Sequence, residues 1–337
     1  MPVAASFLLF AYNHEGFIEE AVRGALDQDY EGLEVIVTDD ASTDGTADVI
    51  ERVIAAYDGP KRVRFHRHAR NQGLLKSINE AVAASTGDII ILAGGDDVSY
   101  PYRTSRLAAA LAPDDVVFAW SNTNVVDENG TFERLHYRGP PWHKTLRSFE
   151  NPNQAALGAA NALKRTLFTR FGPLDTGARV EDRTILMRAT ILGKVVYVDE
   201  PLLDYRRHGG NVWLGRAERA RQKFSTWRAH VADDAVGRAT IYECMLLDLD
   251  RALAMPDVDH AEVRRARKFA AEHLRQARQS IVMYGTNSPI TKGVAIARIA
   301  LSGSPGTTWR WLKENAVQRL RFHVLRARAA KEGMVAR

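Results

Sequence analysis

The chain has 337 residues, 45% of them hydrophobic, and a formal charge of +5. That length suits one large domain with an extension, or two domains, and the apolar fraction supplies a core and excludes a disordered chain. A lone cysteine, Cys244, excludes an intrachain disulfide and a cysteine-built zinc cluster, and its apolar helical surroundings make it a packing residue.

Taken in chain order, the first hundred residues alternate β-rich runs with helical patterns, as a mostly parallel sheet covered by helices requires. A first strand over 5–11 leads to a helix in which Phe17, Ile18, Ala21, Val22, Ala25 and Leu26 share one face. A second strand, 33–38, stops at Asp39-Asp40, and after the turn 41–45 a second helix repeats the pattern through Val49, Ile50, Val53, Ile54 and Tyr57. A third strand over 63–66 and a third helix over 74–84 precede Asp88-Ile89-Ile90-Ile91-Leu92-Ala93, a continuous apolar run suited to a central strand. It ends in Gly94-Gly95-Asp96-Asp97.

Beyond Pro101 the pattern loosens. Residues 116–120 read as a strand, Asp127-Glu128-Asn129-Gly130 as a turn, 138–141 as a loop, and 195–198 and 202–205 as two strands either side of Glu200-Pro201. After about Trp213 the chain is almost wholly helical, which sets a boundary near 211–216. In that tail Trp309, Leu312, Ala316, Val317, Leu320, Val324 and Leu325 line one face, with Arg310, Lys313, Arg321 and Arg328 elsewhere. Such a stripe packs on its own domain or a partner subunit of a homo-oligomer, or lies on an anionic membrane; these alternatives stay open.

Acids placed directly after buried strands stand at the edge where open α/β sheets bind ligands. Asp39 and Asp40 after the second strand, and Asp96 and Asp97 after the fourth, have that placement. Like charges there call for a hard divalent cation shared with substrate phosphates, Mg²⁺ or Mn²⁺. An acidic turn capping the next helix is the structural alternative. A dinucleotide-dependent oxidoreductase is excluded, because the first strand runs into Tyr12-Asn13-His14-Glu15 with no G-x-G-x-x-G.

Ala11-Tyr12-Asn13, Asp39-Asp40-Ala41-Ser42-Thr43-Asp44-Gly45-Thr46, Asn71-Gln72-Gly73 and Gly95-Asp96-Asp97 together resemble a family 2 glycosyltransferase of GT-A fold. The resemblance runs from about Ser6 to His208. It implies an α/β, Rossmann-like sheet with a catalytic domain over 1–213, nucleotide-sugar side about 1–100 and acceptor side about 101–213. Residues 214–337 then form a helical extension.

By that resemblance Tyr12, Asn13, Asp39, Asp40, Arg70, Asn71 and Asp96 hold a nucleotide-diphosphate sugar, UDP-linked by preference. Asp40 is expected chiefly to support its loop. Asp96, Asp97 and His208 are the implied metal ligands, although Gly94 stands where the family's Asp-x-Asp motif begins. Arg206 and Arg207 are candidates to neutralise the diphosphate. Glu181-Asp182 resembles the acidic pair at the head of the acceptor-side helix, with Asp182 the base of an inverting transfer and Glu181 and Gly158 on the acceptor side. Trp142 and Trp213 flank that region, where an indole face stacks on a sugar ring or packs in the core; both readings stay open.

The implied acceptor is a hydroxyl of a glycan or lipid-linked carrier, in polysaccharide or cell-envelope biosynthesis. No nucleic-acid partner is expected. With no secretory leader pattern and no run near ~18 apolar residues, the chain is expected in the cytoplasm, with peripheral contact at the inner membrane face through the basic tail. A non-catalytic scaffold retaining the fold is the competing reading, motivated by Gly94 and the helical tail.

Overall fold

The alternation of apolar runs and amphipathic stretches is realised as strands and helices in a computed structural model, which describes residues 3–136, 158–177, 181–209, 211 and 227–284. Trp142, Trp213, the loop at 138–141 and the stripe from Trp309 to Leu325 lie outside the described residues.

β1 (Ala5–Ala11), β2 (Leu33–Asp39), β3 (Arg62–Arg67) and β4 (Ile89–Gly94) alternate with α1 (Ile18–Leu26), α2 (Thr46–Ala55) and α3 (Leu74–Ala84). Each lies where the sequence pattern predicts it. The chain continues through β5 (Val98–Ser99), α4 (Arg103–Ala110), β6 (Val116–Val126) and β7 (Phe132–Leu135). A short 3₁₀ turn, Gly158–Ala160, precedes β8 (Asn161–Lys164), α5 (Thr166–Phe171), α6 (Asp182–Leu192) and β9 (Lys194–Arg206). Two long helices, α7 (Trp227–Leu253) and α8 (His260–Tyr284), complete the described elements.

The strands form one sheet in the order β3-β2-β1-β4-β8-β6-β9-β5, with β7 on β6. β1, β2, β3 and β4 are mutually parallel, β6 and β9 are parallel, and β8 lies antiparallel between β4 and β6. β1, β2 and most of β4 are buried, as their unbroken apolar runs require. One apolar layer joins Phe7, Leu9, Val35, Val37 and Ile91 to α1 and α2, while Leu8, Phe10, Ile36, Ile90 and Leu92 face α3. Cys244 is buried in that second layer, the packing role expected of it.

The predicted strand pair around Glu200-Pro201 is corrected: β9 is one strand of 13 residues. Its pairing with β6 shifts register between Ser121 and Asn122, where Asn122 faces Pro201, so an irregularity absorbs the proline. The predicted strand at 116–120 likewise extends to Val126.

The described residues divide into two compact units, 3–206 with 244–269, and 207–243 with 270–284. In the first, the buried Arg188 of α6 pairs bidentately with the buried Asp248 at 2.6 and 3.0 Å and donates to the carbonyls of Gly172 and Pro173. In the second, Tyr242 and His273 pack ring to ring and Arg278 pairs with Glu243 at 2.8 Å. No described helix is long and apolar enough to cross a membrane.

Candidate active site

Parallel register brings three strand ends to one edge. Ala11 pairs with Asp39, and Phe10 with Gly94, so the chain leaves β1, β2 and β4 side by side. The loops after β1 and β2 are sewn together: the Asn13 amide donates to Ser42 Oγ at 2.8 Å, Asn13 Oδ1 accepts from the Thr43 amide at 2.9 Å, and the His14 amide donates to Thr46 Oγ1 at 2.8 Å. Asn13 and Ala41 both adopt positive φ, near 60°. The strained conformation at Ala41 is held by these cross-links. Tyr12 is left 43% exposed.

Asp39 is fully buried; its carboxylate accepts from the Ser42 amide and hydroxyl and lies 3.6 Å from Arg67 Nε. Asp40 accepts from the amides of Gln72 at 2.8 Å and Gly73 at 2.7 Å, and its Oδ1 stands 2.8 Å from His68 Nδ1. It is the fastener of the loop that presents Arg70 and Asn71, both exposed.

After β4, Gly94 explains the departure from Asp-x-Asp. A Cβ there would stand 2.6 Å from Asp96 Oδ1 and 3.2 Å from Asp97 Oδ2, so the missing side chain is the space into which two carboxylate oxygens turn. Asp96 is partly exposed, with His14 Nε2 3.9 Å away. Asp97 is buried and accepts the Arg206 backbone N–H at 3.0 Å. Burial first, and the Asp96 charge second, hold the Asp97 carboxyl well above the usual carboxylate range; the Arg206 N–H and the charges of Arg103 and Arg206 oppose this only in part. Two converging oxygens with incompletely compensated charge form a donor set that fits a hard divalent cation.

Beneath this turn lies Arg103, fully buried, which donates to Ser99 Oγ at 2.7 Å, to the Leu92 carbonyl at 2.8 Å and to the Ala159 carbonyl. Burial lowers its pKa to about 10, the Asp97 charge partly offsetting it. It fixes the turn carrying the acids to the 3₁₀ turn Gly158–Ala160. The sequence reading missed it, since an arginine opening a short helix carries no sign of burial. The Arg206 guanidinium stacks on Phe17 and donates to the Glu128 carbonyl and to Glu20, while its backbone N–H and its charge both act on Asp97.

Glu181 and Asp182 open α6. Asp182 Oδ1 accepts the Arg183 amide at 2.6 Å, and acids at a helix N-terminus complement its dipole. Glu181 folds against Gly158, where a Cβ would lie 2.1 Å from Oε1, so any larger residue there would push the carboxyl aside. Burial first, and Asp182 second, push Glu181 up to about 7. Tyr205 links the two acidic groups: its hydroxyl is raised by burial, then by the charges of Asp97, Asp96 and Glu181 together. His208, in the second unit, sits in a turn where its amide donates to Asn211 Oδ1 at 2.6 Å.

The model of "Glycosyl transferase family 2" matches residues 6–171, from β1 to the end of α5. Residues 6–171 are a family 2 glycosyltransferase domain. An uncharacterized glycosyltransferase of Nostoc is 27% identical over 219 residues, covering 63% of this chain and 67% of that protein. The putative glycosyltransferase EpsE of Bacillus subtilis is 35% identical over 106 residues, covering 32% of this chain and 37% of its own length.

Among solved structures, TarS 1-349 of S. aureus in complex with UDP superposes with a TM-score of 0.56 at 15% identity, covering 99% of this chain and 93% of that one. The mannosyltransferase PcManGT of Pyrobaculum calidifontis, in complex with GDP-Man and Mn²⁺, gives 0.50 at 17% identity over 95% and 88%. These likenesses identify the architecture as GT-A. The scaffold reading gives way to a glycosyl-transfer enzyme, and Gly94 is part of how its acidic turn is built.

Proposed function

We propose that this glycosyltransferase moves a sugar from a nucleoside-diphosphate donor, UDP-linked by preference, to a hydroxyl of a glycan or lipid-linked acceptor, with inversion at the anomeric carbon. The observation that carries this reading is the link made by buried Arg103, which joins the Leu92 carbonyl of β4, ahead of Asp96 and Asp97, to the Ala159 carbonyl of the 3₁₀ turn whose Gly158 receives the Glu181 carboxyl at the head of α6. Complexes of the structural neighbours with UDP, or with GDP-Man and Mn²⁺, support the donor class.

Tyr12, Asn13, Asp39, Arg70 and Asn71 frame the nucleotide, and Asp40 holds that frame closed. Asp96, with Asp97 behind it, is the holder of the divalent cation. When bound, Mn²⁺ or Mg²⁺ supplies compensation for charge growing on the diphosphate. Asp182 accepts the proton of the acceptor hydroxyl as its oxygen bonds to the anomeric carbon and the bond to the diphosphate oxygen breaks.

Glu181, protonated or ionised near neutrality, shapes the pocket against Gly158. Trp142 and Trp213 are offered as acceptor-stacking residues. The catalytic region spans 1–213, and the remainder, 214–337, serves oligomerisation or contact with the inner membrane face, placing the enzyme in the cytoplasm on envelope or polysaccharide synthesis.

Asp182→Asn tests the assignment. Turnover should fall about 10²–10⁴-fold while donor affinity, read by calorimetry, stays within about twofold. A variant with near-parental turnover removes Asp182 from the mechanism.

A further inference from the structure

A second cluster of ligating side chains lies apart from the acidic pair, where the edge strand β3 runs into the loop before α3. Alternation along an extended chain puts Arg64, His66 and His68 on one face. α3 covers that face, since Arg64 Nη2 donates to the Ala84 carbonyl at 2.9 Å. Glu80, one helical turn after Lys76, is thereby turned toward the two imidazoles. One ligand atom from each of His66, His68 and Glu80 lies within 4.8 Å of the others. The rings of His66 and His68 meet edge to face with centroids 5.0 Å apart.

The three residues are not equivalent. His68 is 5% exposed, and its Nδ1 stands 2.8 Å from Asp40 Oδ1. A carboxylate there accepts a hydrogen bond from Nδ1–H, which favours the tautomer that leaves the Nε2 lone pair outward. Nε2 is buried and lies 2.9 Å from Glu80 Oε2. In that tautomer the Nε2 lone pair and the carboxylate face one another as two donors to a cation. His66 is exposed, so its ring can turn the remaining distance toward the ~3.3 Å ligand spacing of a tetrahedral ion with ~2.0–2.1 Å bonds, leaving a fourth position for water.

We propose that His66, His68 and Glu80 form a binding site for zinc or a similar transition-metal ion, separate from the Asp96–Asp97 pair, with Asp40 orienting His68 from behind. Two imidazoles and one carboxylate suit such an ion, whereas an all-oxygen pair suits Mg²⁺ or Mn²⁺. Because Asp40 also holds the amides of Gln72 and Gly73, an ion at this site braces β3, α3 and the loop presenting Arg70 and Asn71 as one piece.

The test uses untagged, metal-free full-length protein titrated with CoCl₂ alone. The parent should develop the intense visible d–d absorption of four-coordinate cobalt, displaced by ZnCl₂. His66→Ala and Glu80→Gln, both altering side chains that are not fully buried, should lose that absorption while keeping the parental far-UV circular dichroism. Asp96→Asn should retain it. Asp40→Asn should weaken cobalt affinity about 10–100-fold. Absence of the band in the parent would overturn the proposal in favour of a doubly protonated His68 between Asp40 and Glu80; an undiminished band in His66→Ala and Glu80→Gln, or its loss in Asp96→Asn, would overturn it too.

Discussion

Restoring the acid that the family's Asp-x-Asp motif carries at position 94 should damage the enzyme. In Gly94→Asp the new Cβ meets Asp96 Oδ1 at 2.6 Å, whereas ordinary contact begins near 3.4 Å, so the carboxylate must retreat by about 0.8 Å (3.4 minus 2.6). The obstructing atoms end short, rotatable side chains, so the retreat costs the fold little. Catalysis is less tolerant: displacement by about 1 Å of a group that positions substrate costs up to about 10²-fold.

Gly94→Ala isolates that displacement, and Gly94→Asp adds a further acid beside Asp97, whose carboxyl burial and the Asp96 charge already hold well above the usual carboxylate range. Both should lose about 10–10²-fold in donor turnover, read as nucleoside-diphosphate release at saturating Mn²⁺, with melting temperatures within a few degrees of the parent. Turnover equal to or above the parent in Gly94→Asp would refute the reasoning and show that the glycine is merely a missing ligand.

Other perturbations follow from the same contacts. Glu181 has a folded-state pKa of about 7 against an ordinary value of 4.5, so it binds its proton more tightly folded than unfolded. Its stabilising contribution is full below about pH 4.5 and is lost as pH rises through 7; Glu181→Gln should therefore hold its melting temperature between pH 5 and about 8 better than the parent does, and parallel curves would contradict the burial argument. Arg188→Met leaves Asp248 buried without its main partner and should cost about 3–5 kcal/mol in urea unfolding; a loss under about 1 kcal/mol would show that Arg251 alone satisfies Asp248. Asp40→Ala strands the Gln72 and Gly73 amides and should weaken nucleotide binding at least tenfold in calorimetry, an unchanged affinity meaning that the loop does not frame the nucleotide.

The parallel half of the sheet was legible because its physics is periodic: apolar runs bounded by Asn13, Asp40 and Asp97 can hardly be anything but buried strands ending at a polar edge. The second half was harder. β9 reads as two strands because Pro201 interrupts the pattern, and only the register shift against β6 shows how one strand carries it. β8 and α5 carry no comparable signal in 161–171 and went unassigned.

Within the site, the acids were legible as types at strand ends, whereas their supports were not. Arg103 and the packing of Glu181 on Gly158 depend on segments far apart in sequence, and no sequence pattern signals the backbone amide that Arg206 gives to Asp97. The His66-x-His68 spacing was readable on a strand, but its meaning required Glu80 and Asp40 from two other segments.

The most direct test of the central claim is a crystal structure with Mn²⁺ and the nucleoside diphosphate, read by anomalous difference density. The account predicts an ion touching the Asp96 carboxylate and the diphosphate, with the Asp182 carboxylate facing the same cleft from the head of α6. Diphosphate bound with no ion at Asp96, or an Asp182 carboxylate turned away from that cleft, would contradict it.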